Sequence, residues 1–243
     1  MKLLIVRHGD PDYAHDSLTE KGWREAELLA RRLTKQEADY YYVSPLGRAK
    51  DTASLTLERL GRTATVCDWL QEFPARVEKP NVPGKQTIAW DWLPQDWTRR
   101  EGFFSAEHWA DDPVMQAGQV GQQYDYVIGQ FDALLEQHGY VRDGKCYRAV
   151  RPNNDTVVLF CHFALECVLL SHLWNVSPMI LWHGLCAAPS SVTTAVTEER
   201  RPGVASFRVT SFGDISHLYA GEEPPSFAAR FCECYGNEGE RID

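Results

Sequence analysis

Residues 3–10 read LLIVRHGD. Leu3, Leu4, Ile5 and Val6 run without interruption into Arg7, His8 and Gly9, with Pro11 just beyond. A short apolar run bounded by Gly and Pro reads as an interior strand of a parallel sheet. In such sheets ligands bind just beyond the carboxyl ends of the strands, so Arg7 and His8 stand where chemistry is expected. Taken alone, the tripeptide also fits an ordinary surface Arg–His pair at a strand end. The choice depends on what the other strands present at theirs.

Residues 155–162, DTVVLFCH, form a second apolar run, and it ends in His162. The apolar helical pattern FALECVLLSHLWNV follows at once and stops before Pro178. Between the two histidine strands the pattern alternates. SLTEKGWREAELLARRL (17–33) carries Ser/Thr start signals, with Ala26, Leu29, Ala30 and Leu33 at helical spacing. DYYYVSP (39–45) reads as a strand, LGRAKDTASLTLERLG (46–61) as a helix stopped by Gly61, and TATVCDWL (63–70) as a third strand. Alternation of this kind implies an α/β fold with a mainly parallel sheet. A further helix is expected over 121–139, and two strands over 190–199 and 203–218.

The rhythm breaks over 73–119, a stretch rich in Pro and mixed charge that holds Trp90, Trp92, Trp97 and Trp109. Long irregular segments inside a domain are typically lids or binding insertions. The competing reading is a small helical subdomain packed for stability. Arg76, Lys79, Lys85, Arg99 and Arg100 are the basic residues there that could meet extra anionic groups on a ligand. The whole chain, 1–243, reads as a single domain carrying this insertion.

Composition narrows the partners. A net charge of −9 argues against non-specific nucleic-acid or membrane-surface binding, while leaving a small anion free to respond to local charge. No apolar run approaches a transmembrane span, and the four-residue run after Lys2 is too short for a secretory signal. The chain therefore reads as cytoplasmic. Seven cysteines, an odd number scattered through apolar segments, fit reduced thiols. Cys232 and Cys234 lack a second ligand pair for zinc. No metal and no cofactor are expected.

Both histidine strands are followed by helices, so His8 and His162 share one sheet edge and meet if the strands are neighbours. Arg48 falls in the first turns of a helix that directly follows a strand, where backbone N–H groups favour an anion. Glu72 lies just past the third strand. Arginine's planar fork matches phosphate oxygens. A histidine nitrogen can attack phosphorus when its other nitrogen is held as a donor, and a protonated carboxyl can supply the leaving oxygen's proton.

With these residues in place, the sequence resembles the histidine phosphatase superfamily, of which the cofactor-dependent phosphoglycerate mutases are a branch. VRHGDPD resembles that family's Arg-His-Gly signature, DSLTEKG the segment after it, VSPLGRAKDTA its Ser-Pro-x-x-Arg-x-x-x-Thr-Ala motif, and VVLFCH the strand bearing the second histidine. The resemblance implies a three-layer α/β/α, phosphoglycerate mutase-like fold. It implies His8 as a nucleophile that becomes phosphohistidine, Arg7 and Arg48 as the phosphoryl clamp, His162 as a donor to a phosphoryl oxygen, and Glu72 as the general acid. The expected function is a metal-independent phosphomonoesterase acting on a small phosphorylated metabolite. The alternatives are a mutase-type phosphoryl transferase and a phospholigand-binding protein without turnover.

Two departures stand out. Family members often carry Gly after the second histidine, where this chain has Phe163 and Ala164; the Phe163 amide could still face the phosphate while its ring lines the pocket. The mutase-type loop that brings an Asn to the phosphate is shortened to DPDYAHDS, in which Tyr13 and Ser17 are the candidates to compensate. His15, His108 and His138 lie in polar stretches and read as solvated; His172, His183 and His217 read as structural.

Overall fold

The computed structural model describes residues 1–226 of the 243-residue chain. Cys232 and Cys234 lie outside the described residues. The central sheet has eight strands: β1 (Lys2–Arg7), β2 (Tyr40–Val43), β3 (Thr65–Val66), β4 (Tyr140–Asp143), β5 (Cys146–Ala149), β6 (Thr156–Cys161), β7 (Val192–Arg201) and β8 (Val204–Asp214). Their spatial order is β3-β2-β6-β1-β7-β8-β5-β4. The pairs β3–β2, β2–β6 and β6–β1 are parallel, and every pairing from β1 onward is antiparallel. Strands β8 and β4, each two antiparallel steps on, again run with β1, which leaves β7 and β5 as the reversed strands.

Alternation along the strands builds one core on each face. Leu3, Ile5, Val157, Leu159 and Cys161 face one side. Leu4, Val6, Val158 and Phe160 face the other, with Leu29 and Leu33 of helix α1 (Glu20–Leu33) and Ala49 and Ala53 of α2 (Gly47–Leu60). Thr19 caps α1 by accepting the Gly22 N–H, and Gly61 ends α2 at φ 61, the left-handed conformation that glycine adopts without strain. The first face carries α3 (Val120–Gln137), α4 (Phe163–Trp174) and α5 (Pro178–Gly184). Residues Phe163 to Leu173 of α4 are all buried, which is why its sequence is apolar all round. The sandwich of helices about the sheet is the three-layer arrangement the sequence implied.

Three details differ from the sequence reading. The third strand shrinks to Thr65–Val66, an edge strand whose Val66 is exposed, and a 3-10 turn over Asp68–Leu70 takes up the rest. The hairpin of β4 and β5 was not anticipated; it turns at Gly144, φ 59. Helix α5 was likewise missed, although Ser177 caps it and Pro178 opens it.

The 73–119 segment is built from a small two-stranded ladder and short helical turns, and it joins the core of the first face. Trp90, Trp92 and Trp109 are buried there beside Phe73 and Phe103. Trp109 packs edge-on against Trp182 of α5 at 5.8 Å, and Trp97 stacks on His183 at 4.8 Å. Each large apolar side chain buried in this way contributes about 1.5–3 kcal/mol. These tryptophans form an inner wall. Bringing them over a ligand would require opening the core.

Candidate active site

Parallel pairing of β1 with β6 sets Arg7 level with Cys161. His8 and His162 therefore leave the sheet side by side, ring centroids 5.1 Å apart. His8 is almost fully buried, and its Nδ1 donates to the carbonyl of Gly9 at 2.7 Å. That bond commits the proton to Nδ1 and leaves the lone pair on Nε2. Burial, and then the charges of Arg7 and Arg48, push the His8 pKa well below its usual value, so the ring is neutral at pH 7.

His162 directly precedes the first turn of α4 and is fully buried. Its Nε2 is 2.8 Å from Ser44 Oγ, and that same oxygen accepts the N–H of Leu46 at 3.2 Å. Nδ1 is buried and has no partner among the described residues. Burial, followed by His8, Arg48 and Arg7, holds this ring neutral as well.

Both arginines are held by oxygen atoms from distant loops. Arg7 Nη1 donates to the carbonyl of Ala187, and the guanidinium lies over the ring of Phe163 at 5.6 Å. Arg48, on the first turn of α2, pairs through Nη1 with Asp16 Oδ1 at 2.7 Å. The other oxygen of Asp16 accepts the Gly47 N–H at 2.7 Å, so one carboxylate caps the helix and holds the arginine. A Cβ on Gly47 would meet the Asp16 carbonyl oxygen at 2.0 Å, which explains the glycine there. Thr52, fully buried on α2, accepts the Gly9 N–H at 2.9 Å and ties the helix to the His8 loop.

Glu72 follows the 3-10 turn, and its Oε1 accepts two N–H groups, from Phe73 at 2.9 Å and Leu165 at 3.1 Å. Burial raises its pKa; those N–H bonds and the charges of Arg7 and Arg48 act in the opposite direction. Arg7, His8, Arg48, Glu72 and His162 thus come together at one end of the sheet. Phe163 is present too, but its ring is buried between Arg7 and Trp90, where it supports the arginine and does not line an open pocket.

Other expectations are corrected. His138 is buried, with its Nε2 3.0 Å from Tyr42 Oη, and is not solvated. His172 is bound to Asp132 at 2.9 Å, and His183 is fixed between the Met179 carbonyl and the Trp92 N–H, both as structural residues. His217 is buried at 3.0 Å from Ser190 Oγ, while Ser190 N donates to the His8 carbonyl at 2.9 Å. Lys79 is buried and donates to the Asp91 carbonyl, and Arg100 pairs with Asp112 at 2.5 Å, so neither is spare for a ligand anion. The first residues of the acidic tail return to this end of the sheet: Ser226 is buried and bonds Asp10. Cys67, Cys146, Cys161, Cys167 and Cys186 are free thiols. No group of three or more His, Cys, Asp or Glu that could hold a metal occurs among the described residues, and none of their helices is long and apolar enough to cross a membrane.

A sheet edge carrying two neutral histidines, two arginines and a carboxyl defines a phosphoryl-handling site. The chain belongs to the histidine phosphatase superfamily (branch 1), whose family model matches residues 3–210. That membership places it among the phosphoric monoester hydrolases. Solved structures agree on the fold. A phosphoserine phosphatase of Entamoeba histolytica, in complex with 3-phosphoglyceric acid, superposes with TM-score 0.57 at 20% identity over 89% of this chain and 98% of its own. A mycobacterial glucosyl-3-phosphoglycerate phosphatase with VO3 gives 0.54 at 22% over 87% and 98%. YhfR of Bacillus stearothermophilus gives 0.54 at 20% over 89% and 98%. A comparison with curated proteins found no match.

Proposed function

We propose that this protein is a metal-independent phosphomonoesterase that acts on a small phosphorylated metabolite through a phosphohistidine on His8. The observation that carries the reading is the bond from His8 Nδ1 to the Gly9 carbonyl in a neutral ring, which aims an Nε2 lone pair between two arginines. Arg7 and Arg48 neutralise the substrate dianion, and the Nδ1–H of His162 donates to a phosphoryl oxygen. Nε2 of His8 then forms a bond to phosphorus as the ester P–O bond breaks. The departing oxygen takes the proton of Glu72, whose Oε2 carries it because Oε1 is occupied by two N–H groups. In the second half Glu72, now a carboxylate, takes a proton from water. That water oxygen attacks phosphorus, the N–P bond breaks, and inorganic phosphate leaves with His8 regenerated. Positioning and charge neutralisation are what phosphoryl transfer requires of a protein.

The small-metabolite class is supported by the similar structures just described, a phosphoserine phosphatase and a glucosyl-3-phosphoglycerate phosphatase. The reading takes the chain as one domain, with 73–119 as part of the wall behind the site.

The test is hydrolysis of p-nitrophenyl phosphate with a chelator present, joined to rapid quenching with labelled substrate. Acid-labile label on His8, lost in His8→Ala together with turnover, is the expected result. Acid-stable label, transfer of the group back to a phosphoglycerate in preference to water, or binding without turnover would each overturn it.

A further inference from the structure

The shortened loop after the Arg-His-Gly turn is held at both ends. Asp12 accepts the Ala14 N–H at 3.0 Å and bonds His15 Nδ1 at 2.7 Å, while Asp16, at φ 47, binds Arg48 and the start of α2. Tyr13 lies between these anchors, with the Arg48 guanidinium over its ring at 5.5 Å. The residue is 65% exposed, unlike the buried His8, His162 and Arg7. Burial raises the pKa of its hydroxyl, and the charges of Arg7, Arg48, Glu72 and Asp10 act on it. The other candidate in the loop is occupied, because Ser17 Oγ donates to Asp51 at 2.6 Å.

We infer that the Tyr13 hydroxyl is a further catalytic group, donating a hydrogen bond to a phosphoryl oxygen held by Arg7 and Arg48. This rests on the phosphatase reading above. The role follows from position: Tyr13 is an exposed side chain on a loop tied to Arg48 through Asp16, and its ring packs against that arginine of the clamp. A hydroxyl there supplies a neutral donor, so it stabilises the phosphoryl oxygens without adding to the charge of the site. Its ring, packed on Arg48, fixes the direction of that donor.

The experiment compares wild type with Tyr13→Phe and Tyr13→Ala, measuring kcat/KM on phosphomonoesters and, separately, the affinity for vanadate. Tyr13→Phe keeps the ring on Arg48 and removes only the donor. A hydrogen bond to a charged group supports an expected loss of about 10- to 100-fold in kcat/KM, with a parallel loss in vanadate affinity. Wild-type values for Tyr13→Phe would overturn the proposal, including the case where Tyr13→Ala alone is impaired, since only the ring would then matter. If the wild type binds vanadate but hydrolyses nothing, the phosphatase reading fails on its own. Vanadate affinity then decides for Tyr13: a loss in Tyr13→Phe supports the contact, and an unchanged value overturns it. Because the residue is exposed, both variants are expected to melt as the wild type does.

Discussion

Glu72→Gln separates proton donation from everything else the residue does. The two N–H groups of Phe73 and Leu165 fix which oxygen of the carboxyl is occupied. A glutamine sets its carbonyl oxygen on those donors and places an NH2 where Oε2 stood, so position is kept and the transferable proton is lost. General acid catalysis contributes about 10²–10⁴-fold, so kcat on an alkyl phosphate is expected to fall by that factor. On p-nitrophenyl phosphate, whose phenolate leaves without a proton, the first-turnover release of phenolate is expected to stay within about tenfold of wild type, while later turnovers slow because no carboxylate takes the proton from water. Wild-type activity on the alkyl ester falls as pH rises through the raised pKa of Glu72, because only the protonated form donates. The variant loses that limb. Stability follows the same direction. A carboxyl whose folded pKa is raised keeps its proton in the fold after the unfolded chain has released it, so its contribution declines as pH climbs. The glutamine carries no such penalty, and the melting temperature of the variant at alkaline pH is expected to equal or exceed that of wild type. The rate of leaving-group release in the first turnover on both esters across pH, with melting curves at each pH, is the assay. Equal losses in that step on both esters, or an unchanged alkaline limb, would show that another group is the acid.

Three further outcomes are expected from groups around the site. Burial raises both Glu25 and Glu166 from 4.5 to about 7. Both therefore make the fold less stable as pH rises from 4.5 through 7, by roughly 3 kcal/mol each at most. The melting temperature should decline over that range, and Glu166→Gln should flatten the decline; a variant curve parallel to wild type would refute the assignment. Ser44→Ala removes the hydroxyl bonded to His162 Nε2, and the loss of one neutral hydrogen bond that positions the ring lowers kcat by about 2- to 10-fold. His162→Ala, which removes the donor itself, should cost on the order of 10²–10³-fold. An unchanged kcat in Ser44→Ala would mean that the Ser44 bond does not position His162.

How much of this could be read from sequence depends on how far each cause lies along the chain. Arg7, His8 and His162 were legible because an apolar strand, its end and the polar residue after it are contiguous, and Arg48 because a strand leads directly into its helix. His138 was misread because its neighbours in sequence are polar, while the group that buries and bonds it, Tyr42, is 96 residues away. The β4–β5 hairpin carried a readable signal, Asp143-Gly144 between alternating residues, that the strand–helix alternation obscured. The 3-10 turn after Val66 carried none, since TVCDWL is apolar enough for a strand and is cut short by its place at the sheet edge.

The same reasoning applies to the two helices that open onto the site. Neither α2 nor α4 begins with a residue whose side chain caps it. In both cases the first turn is satisfied by a carboxylate from elsewhere: Asp16, 31 residues before Gly47, and Glu72, 93 residues before Leu165. An uncapped helix start at the carboxyl end of a strand leaves N–H groups that need an anion, and that vacancy can be seen in the sequence. Which carboxylate fills it cannot, because the answer lies in how two loops cross the sheet edge. Once filled, each vacancy gains a second use. Asp16 reaches on to Arg48, and Glu72 is left with a single oxygen free for the proton. The groups that complete the helices are therefore the same groups that set the charge and the direction of the site.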